Sequence, residues 1–166
     1  MIRKKRLVVV FIVVFGLLGV ANLYAQNDVR LNGTWVRTEG RTEFELMFQN
    51  GNFEESMINI RDGFQNFFRG TYTANNGNLN KRQTHIMFVG TGAAELGLDS
   101  GKWYTINEYK NAVRNLLIRQ GAPQDIINEL MADDFSYRLS YSVVSSSLIL
   151  TYTLEGENNT IVFNKK

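Results

Sequence analysis

The chain has 166 residues, of which 44% are hydrophobic and 20% are charged, and it contains one histidine and no cysteine. This length and composition are typical of one folded domain and differ from those of a disordered chain. Without cysteine the chain has no disulfide, thiolate metal site or cysteine nucleophile, and one histidine is too few for a zinc site built from histidines. We therefore expect no metal and no cofactor.

The first 25 residues have the pattern of a secretory signal peptide. Four consecutive basic residues precede the apolar stretch Leu7–Val20, and the small residue Ala25 precedes Gln26. We therefore expect residues 1–25 to be cleaved and residues 26–166 to form one domain that is exported, either periplasmic or secreted. The alternative is an uncleaved N-terminal membrane anchor, because the uncharged stretch is long enough to span a bilayer.

The net charge of +2 belongs mainly to that N-terminal segment. It holds four of the 18 basic side chains, so that the mature domain would carry 14 basic side chains against 16 acidic ones. A nucleic-acid partner would require a surplus of basic charge in the folded domain. We therefore expect no nucleic acid as a partner, and contact with a membrane only through an uncleaved N-terminal segment.

Alternating apolar residues predict five strands in the first part of the mature chain. In the second of these, Phe44 and Phe48 lie on one face, and the Asn50-Gly51 pair that follows predicts a hairpin. The alternation of the third strand shifts after Phe53, which predicts a β-bulge near Glu55. The five predicted strands are Leu31–Thr38, Thr42–Gln49, Asn52–Ile60, Phe64–Ala74 and Leu79–Val89.

A helical segment is predicted next, at about residues 105–131. The glycine-rich stretch Gly90–Lys102 before it is expected to be irregular. Thr105 and Glu108 form a capping box, and apolar residues recur after them at helical spacing. Gly121 is a suitable C-terminal cap for this first helix, and a second short amphipathic helix follows it.

Three more alternating segments complete the chain, at Phe135–Val143, Leu148–Leu154 and Thr160–Lys165. About eight strands, mostly joined by tight hairpins, favour closure into a small barrel. The predicted fold is therefore mainly β, a single antiparallel up-and-down barrel of about eight strands with a two-helix insertion between strands five and six.

The Gly33-Thr34-Trp35 motif in the first strand resembles the opening of the lipocalin and calycin barrels. The similarity is closest to small bacterial exported lipocalin-like domains of unknown function. Avidins, which are also calycins, carry Gly-Thr-Trp and a later Gly-Thr-Tyr, and this chain has Gly70-Thr71-Tyr72. The resemblance implies that Gly33 and Trp35 close the barrel floor and that Lys165, near the end of the last strand, lies across the indole ring.

Aromatic residues expected to face the barrel interior are the candidate ligand-binding residues. Phenylalanine rings supply apolar contact, and tyrosine hydroxyls orient a ligand. The same side chains could instead fill a dry core, because the interior of an eight-stranded barrel is often occupied by its own residues. The candidates are Phe44, Phe48, Phe68, Tyr72, Tyr137, Tyr141 and Tyr152.

Two functions remain open at this point. No nucleophile–base set, carboxylate pair or metal cluster is recognisable, so that we expect no enzymatic activity and name no catalytic residue. The first hypothesis is an exported binding protein that holds a small apolar or amphipathic ligand in its barrel. The alternative is a structural or interaction protein of the cell envelope, with a filled barrel, that binds another protein through the helical insertion.

The predicted helices need a surface to pack on. This surface is either the barrel mouth opposite Trp35, where the helices would form a lid, or the outer wall of the barrel.

Overall fold

The computed structural model describes residues 27–61 and 63–166. The predicted signal peptide and its cleavage site lie outside these residues. The described fold is mainly β, with 55% of residues in strands, and it contains a closed antiparallel barrel of eight strands with the helices after strand five. The predicted fold class is confirmed. No helix in the described part of the chain is long and apolar enough to cross a membrane.

Each barrel strand pairs with its neighbours in sequence, and the last strand pairs with the first to close the barrel. Strand β6 pairs only with β5 and stands outside the barrel. Hairpin turns such as Asn50-Gly51, in which both residues have positive φ angles, hold neighbouring strands in register. The strands are β1 (Gly33–Glu39), β2 (Thr42–Gln49), β3 (Asn52–Asn59), β4 (Phe64–Asn75), β5 (Asn78–Val89), β6 (Trp103–Thr105), β7 (Ser136–Val144), β8 (Ser147–Leu154) and β9 (Glu157–Lys165).

Three helices lie between β5 and β7: α1 (Thr91–Leu96), α2 (Ile106–Arg119) and α3 (Gln124–Ala132). The predicted capping box is present, because Thr105 N donates to Glu108 Oε2 at 2.8 Å and Glu108 N donates to Thr105 Oγ1 at 3.3 Å. The irregular structure predicted for residues 90–102 was wrong in part. Helix α1 forms there because burial of Ala93 supports a short helix, and β6 follows it.

The bulge predicted near Glu55 was wrong. Strand β3 pairs without interruption with both β2 and β4. Glu55 faces inward like Phe53. A polar residue at this inward position makes the alternation look as if the strand had changed face, although it has not. The sheet has its bulge between β4 and β5, where Thr84 is the extra residue opposite the step from Arg69 to Gly70. This bulge restores the inward direction of the apolar residues in the second half of β5.

Two apolar clusters fill the two ends of the barrel. We call the first the floor cluster; it surrounds Trp35 and consists of Leu31, Trp35, Leu46, Phe48, Phe53, Tyr72, Ala74, Leu79, Tyr141, Leu148, Leu150 and Phe163. We call the second the cap cluster; it joins the helices to the sheet and consists of Ile86, Phe88, Ala93, Tyr104, Tyr109, Val113, Leu117, Ile127, Leu130 and Phe135. Full burial of one such large apolar side chain stabilises the fold by about 1.5–3 kcal/mol.

The helical insertion packs at the barrel mouth and not on the outer wall. Ile86 and Phe88 face inward, because they pair with the inward-facing Phe68 and Asn66 of β4. The helices bury their apolar sides against these residues of β5, at the end of the barrel opposite Trp35. Among the apolar residues of α2 and α3, Leu117, Ile127 and Leu130 belong to the cap cluster and Ile126 packs against it, whereas Leu116 is half-buried outside it.

A candidate ligand site between the floor and the cap

The barrel floor is closed around Trp35. Its side chain is fully buried, and its Nε1 donates to the carbonyl oxygen of Leu31 at 2.8 Å. Lys165 Nζ lies 5.3 Å from the centre of the Trp35 ring, which is the contact that the resemblance implied. Gly33 has φ 124°, and a Cβ there would lie 3.2 Å from Lys165 Cε. Glycine is therefore favoured at this position by both the backbone and the close approach of the lysine.

Three of the predicted ligand-binding residues pack within this floor. Phe48, Tyr72 and Tyr141 are at most 6% exposed, and the rings of Phe48 and Tyr72 meet edge to face at 4.7 Å. The Tyr141 hydroxyl donates to Asp28 Oδ2 at 2.8 Å. Burial, together with the Asp28 carboxylate, raises the pKa of Tyr141 to about 12. A hydrogen bond from Arg30 holds the pKa of Asp28 well below its usual range. These contacts tie the N-terminal segment to the floor.

The other four predicted residues face the half of the barrel between the floor and the mouth, which we call the upper half. Phe44, Phe68, Tyr137 and Tyr152 are half-buried although the strand register turns them inward. Partial exposure of inward-facing side chains means that solvent reaches the upper half. The short seam between β1 and β9 is consistent with this access, since these strands are in register only at two positions close to the floor.

Buried polar side chains cross the interior between the two apolar clusters. We call this set the polar layer; it consists of Glu55, Asn66, Lys81, Gln83 and Tyr137. Asn66, Lys81 and Gln83 are 8%, 6% and 7% exposed. Buried polar groups of this kind are uncommon inside a protein and are normally paired. The polar layer is therefore the feature of the interior that most strongly indicates a functional site.

An ion pair lies at the centre of the polar layer. Lys81 Nζ donates to Glu55 Oε2 at 2.5 Å and lies 4.3 Å from the centre of the Phe53 ring. The Lys81 side chain is 7% exposed and the Glu55 side chain 23% exposed, so that the carboxylate is the more accessible partner. The pair lies next to the floor cluster, because Lys81 is in register with Tyr72 and contacts Phe53.

Gly70 lies beside this ion pair, on the inward face of β4 between the strands that carry Glu55 and Lys81. A Cβ at Gly70 would lie 1.9 Å from the carbonyl oxygen of Arg82 and 2.9 Å from Phe53 Cε1. Any larger residue would therefore force β4 away from β5 and displace the Phe53 ring, so that glycine is required by the close approach of the β5 backbone at the bulge.

The remaining polar groups of the layer differ in how well they are paired. The Tyr137 hydroxyl donates to Gln83 Oε1 at 3.2 Å. Burial, together with the nearby Asp133 and Glu55 carboxylates, raises the pKa of Tyr137, so that it stays a neutral phenol. Asn66 Oδ1 is buried and has no hydrogen-bond partner among the described residues. The layer thus contains an acceptor that nothing in the described fold satisfies.

The cap is held together by a buried lysine. Lys110 is 7% exposed, and its Nζ donates to the carbonyl oxygens of Met131 at 2.6 Å and Asp133 at 2.7 Å. These are carbonyls at the C-terminal end of α3, which otherwise lack helical partners. Burial raises the pKa of the nearby Asp133. Lys110 therefore links α2 to the C-terminal end of α3 and stabilises the packing of the two helices.

The structure also shows a cavity of about 360 Å³ outside the upper half, at the turn between β2 and β3. It is lined by Met47, Gln49, Asn50, Asn52, Phe53 and Glu54. One hairpin supplies this entire lining, and no polar groups from other strands converge on it. The polar layer, which draws side chains from four strands, is the stronger candidate site.

Sequence interpretation missed Glu55, Asn66, Lys81, Gln83 and Gly70 as site residues. A signal was present, because each occupies an inward position in the two-residue period of its strand. Polar residues in a half-buried strand are usually solvent-facing, so that their inward position is not recognisable without the register of the closed sheet. The pairing of Lys81 with Glu55 joins two strands that are not neighbours and requires the closed barrel.

Comparisons with protein-family models, with curated proteins and with solved structures found no match to this chain. The fold and its interior are therefore the basis for assigning a function. A closed antiparallel barrel of eight strands is compatible with a lipocalin-like fold. Such a barrel is also consistent with a binding protein.

Proposed function

We propose that this chain is a non-enzymatic binding protein that takes a small amphipathic ligand into the upper half of its barrel. One observation carries the proposal: buried polar side chains lie between two apolar clusters, next to inward-facing aromatic rings that solvent reaches. Burial of polar groups costs free energy that an all-apolar interior would avoid. A ligand that uses both the rings and the polar layer would account for this arrangement.

The proposed ligand contacts are the four half-buried aromatic residues. Phe44 and Phe68 supply apolar surface for the body of the ligand. The Tyr137 hydroxyl belongs to the polar layer, and Tyr152 adds a second hydroxyl on the inward face of β8. Phe48, Tyr72 and Tyr141 act instead as packing residues of the floor. The helical cap lies over the inward face of β5, so that ligand entry is expected to require movement of α2 and α3.

Equilibrium binding of the neutral fluorophore N-phenylnaphthylamine tests this proposal. Phe44→Ala should weaken binding, because it removes an aromatic wall of the upper half. Phe67→Ala is the matched control, since Phe67 belongs to the same sheet but faces outward. If the purified protein does not bind the fluorophore, or if both substitutions weaken binding equally, the upper half is not the binding site.

We also propose that the chain is exported and lipocalin-like. The basic and apolar pattern of residues 1–25 supports export, and the contact of Lys165 with Trp35 supports the resemblance. N-terminal sequencing of the protein from its own host should begin at Gln26. Recovery of Met1 in membrane fractions would indicate an uncleaved anchor instead.

A second candidate function, binding of another protein, is supported by an apolar row on the outer face of the sheet. Phe67, Met87 and Trp103 lie side by side in register on β4, β5 and β6, and all three are half-buried. Arg69 lies 4.4 Å from the Trp103 ring at the edge of this row. Phe67→Ser should abolish co-purification of a partner protein without changing binding of the fluorophore. Retention of the partner by this variant would exclude the row as its docking site.

A further inference from the structure

We infer that the site selects ligands whose polar end is an uncharged hydrogen-bond donor, a hydroxyl or an amide N–H. Asn66 accepts the hydrogen bond of either group, and Glu55 accepts a second one from the other N–H of a primary amide. This inference rests on the proposed function and deepens it by naming the chemical class of the ligand. The observation behind it is the juxtaposition of two acceptors on the inward faces of β3 and β4.

Asn66 is the first acceptor. Its side chain is on the inward face of β4, paired with Met57 of β3 on one side and with Phe88 of β5 on the other. The residue is 8% exposed, and its Oδ1 has no partner among the described residues. A buried carbonyl oxygen in apolar surroundings is stabilised by any group that donates to it. A ligand hydroxyl or amide N–H would supply the missing donor.

Glu55 is the second acceptor. The register places it opposite Phe68, so that it is the diagonal neighbour of Asn66 on the same face. Diagonal neighbours in a sheet lie about 7–8 Å apart, a distance that one polar head group can bridge. Lys81 donates to Glu55 Oε2, and Oε1 has no partner within the described part of the chain. The side chain is 23% exposed, so that the carboxylate is accessible to a ligand head group.

The charges around these acceptors disfavour a charged head group. Among the described residues, the inward-facing cations Lys81 and Arg37 are both paired, Lys81 with Glu55 and Arg37 with Glu39. An anionic head would have to displace Glu55 from Lys81, and a cationic head would have to compete with Lys81 for Glu55. A hydroxyl can donate to Asn66, and a primary amide can donate to both acceptors, while the Lys81–Glu55 pair stays intact.

Four ten-carbon amphipaths with different head groups test the inference. Decanol, decanamide, decanoate and decylammonium are titrated against the protein with bound N-phenylnaphthylamine, near neutral pH. Decanol and decanamide should displace the fluorophore at lower concentration than the two ions. Tighter binding of decanoate or of decylammonium would overturn the inference.

A matched pair of variants assigns the selectivity to Asn66. Asn66→Leu should weaken decanol and decanamide by about tenfold, the value of one hydrogen bond, and leave decanoate, which carries no donor near neutral pH, unaffected. Gln65→Leu replaces the adjacent residue, which faces outward, and should leave the affinities for decanol, decanamide and decanoate unchanged. If Asn66→Leu leaves the affinities for decanol and decanamide unchanged, Asn66 is not an acceptor for the ligand.

The double variant Glu55→Leu/Lys81→Met provides a second test, because it removes the other acceptor without leaving a buried charge. It should also reduce the preference for uncharged donors, and an unchanged preference would overturn the role of Glu55. Failure of the inference is distinguishable from failure of the proposed function. Fluorophore binding that depends on Phe44 but shows no head-group preference contradicts the inference alone, whereas absence of fluorophore binding contradicts the proposed function.

Discussion

Replacement of Glu55 by glutamine is expected to destabilise the barrel strongly, because it leaves the Lys81 ammonium buried without its counter-ion. Loss of one partner of a buried ion pair costs about 3–5 kcal/mol. Glu55 is 23% exposed, so that water partly screens the pair and the lower end of this range, about 3 kcal/mol, applies. The Phe53 ring remains 4.3 Å from Lys81 Nζ, and its attraction of roughly 0.5–1 kcal/mol is retained in the variant.

Urea unfolding of four variants measures this effect. Glu55→Gln and Lys81→Met should each lower the free energy of unfolding, with no change in its dependence on urea concentration. The double variant Glu55→Leu/Lys81→Met should be as stable as the wild type or more stable, because it replaces the pair with apolar side chains. Glu54→Gln is the control, since Glu54 faces outward on the same strand. A loss of less than about 0.5 kcal/mol for Glu55→Gln, the size of an ordinary surface substitution, would refute this account of the polar layer.

Three further predictions concern the floor and the cap. Trp35→Ala should lower the free energy of unfolding by about 3–5 kcal/mol, as other truncations of large buried aromatics do, and Trp103→Ala on the outer face should cost less; equal losses would contradict the closed floor. Lys110→Met should cost about 1–3 kcal/mol by removing two hydrogen bonds from a charged donor, whereas Arg114→Met, on the exposed side of α2, should be nearly neutral in the same urea assay. Because the folded-state pKa of Asp28 is depressed, its contribution to stability is present above the unfolded pKa of about 4 and is lost as the pH falls below it. Asp28→Asn should therefore show a weaker loss of stability in acid than the wild type, and identical acid profiles would exclude this role.

Local patterns predicted most of the secondary structure. Alternating residues predicted the strands, and paired Asn-Gly turns predicted hairpins, because both signals depend on neighbours in the chain. The Thr105–Glu108 capping box was predicted correctly for the same reason. Strand ends were less accurate: β1 begins at Gly33 and not at Leu31, since Val29–Leu31 form a short 3-10 helix that supplies the carbonyl for Trp35.

The candidate site was predicted only in part. Inward-facing aromatic residues followed from the two-residue period, but the period does not tell how far along the barrel each ring lies. Phe48 and Tyr72 therefore looked equivalent to Phe44, whereas barrel closure buries the first two in the floor and leaves the third half-exposed. The site of the bulge was also mispredicted, because a polar residue on an inward face resembles a shift of register.

The sequence by itself determined which faces of the strands are apolar, where the chain turns, and that two of the helices carry an apolar side. These properties depend on contacts between residues a few positions apart. Only the tertiary structure decided that the helices cap the mouth and that Lys81 reaches Glu55 across Gly70, because these contacts join elements that meet only once the sheet has closed. A buried charge can be tolerated only where a partner from another strand is held within hydrogen-bond distance, and that distance is a property of the closed barrel.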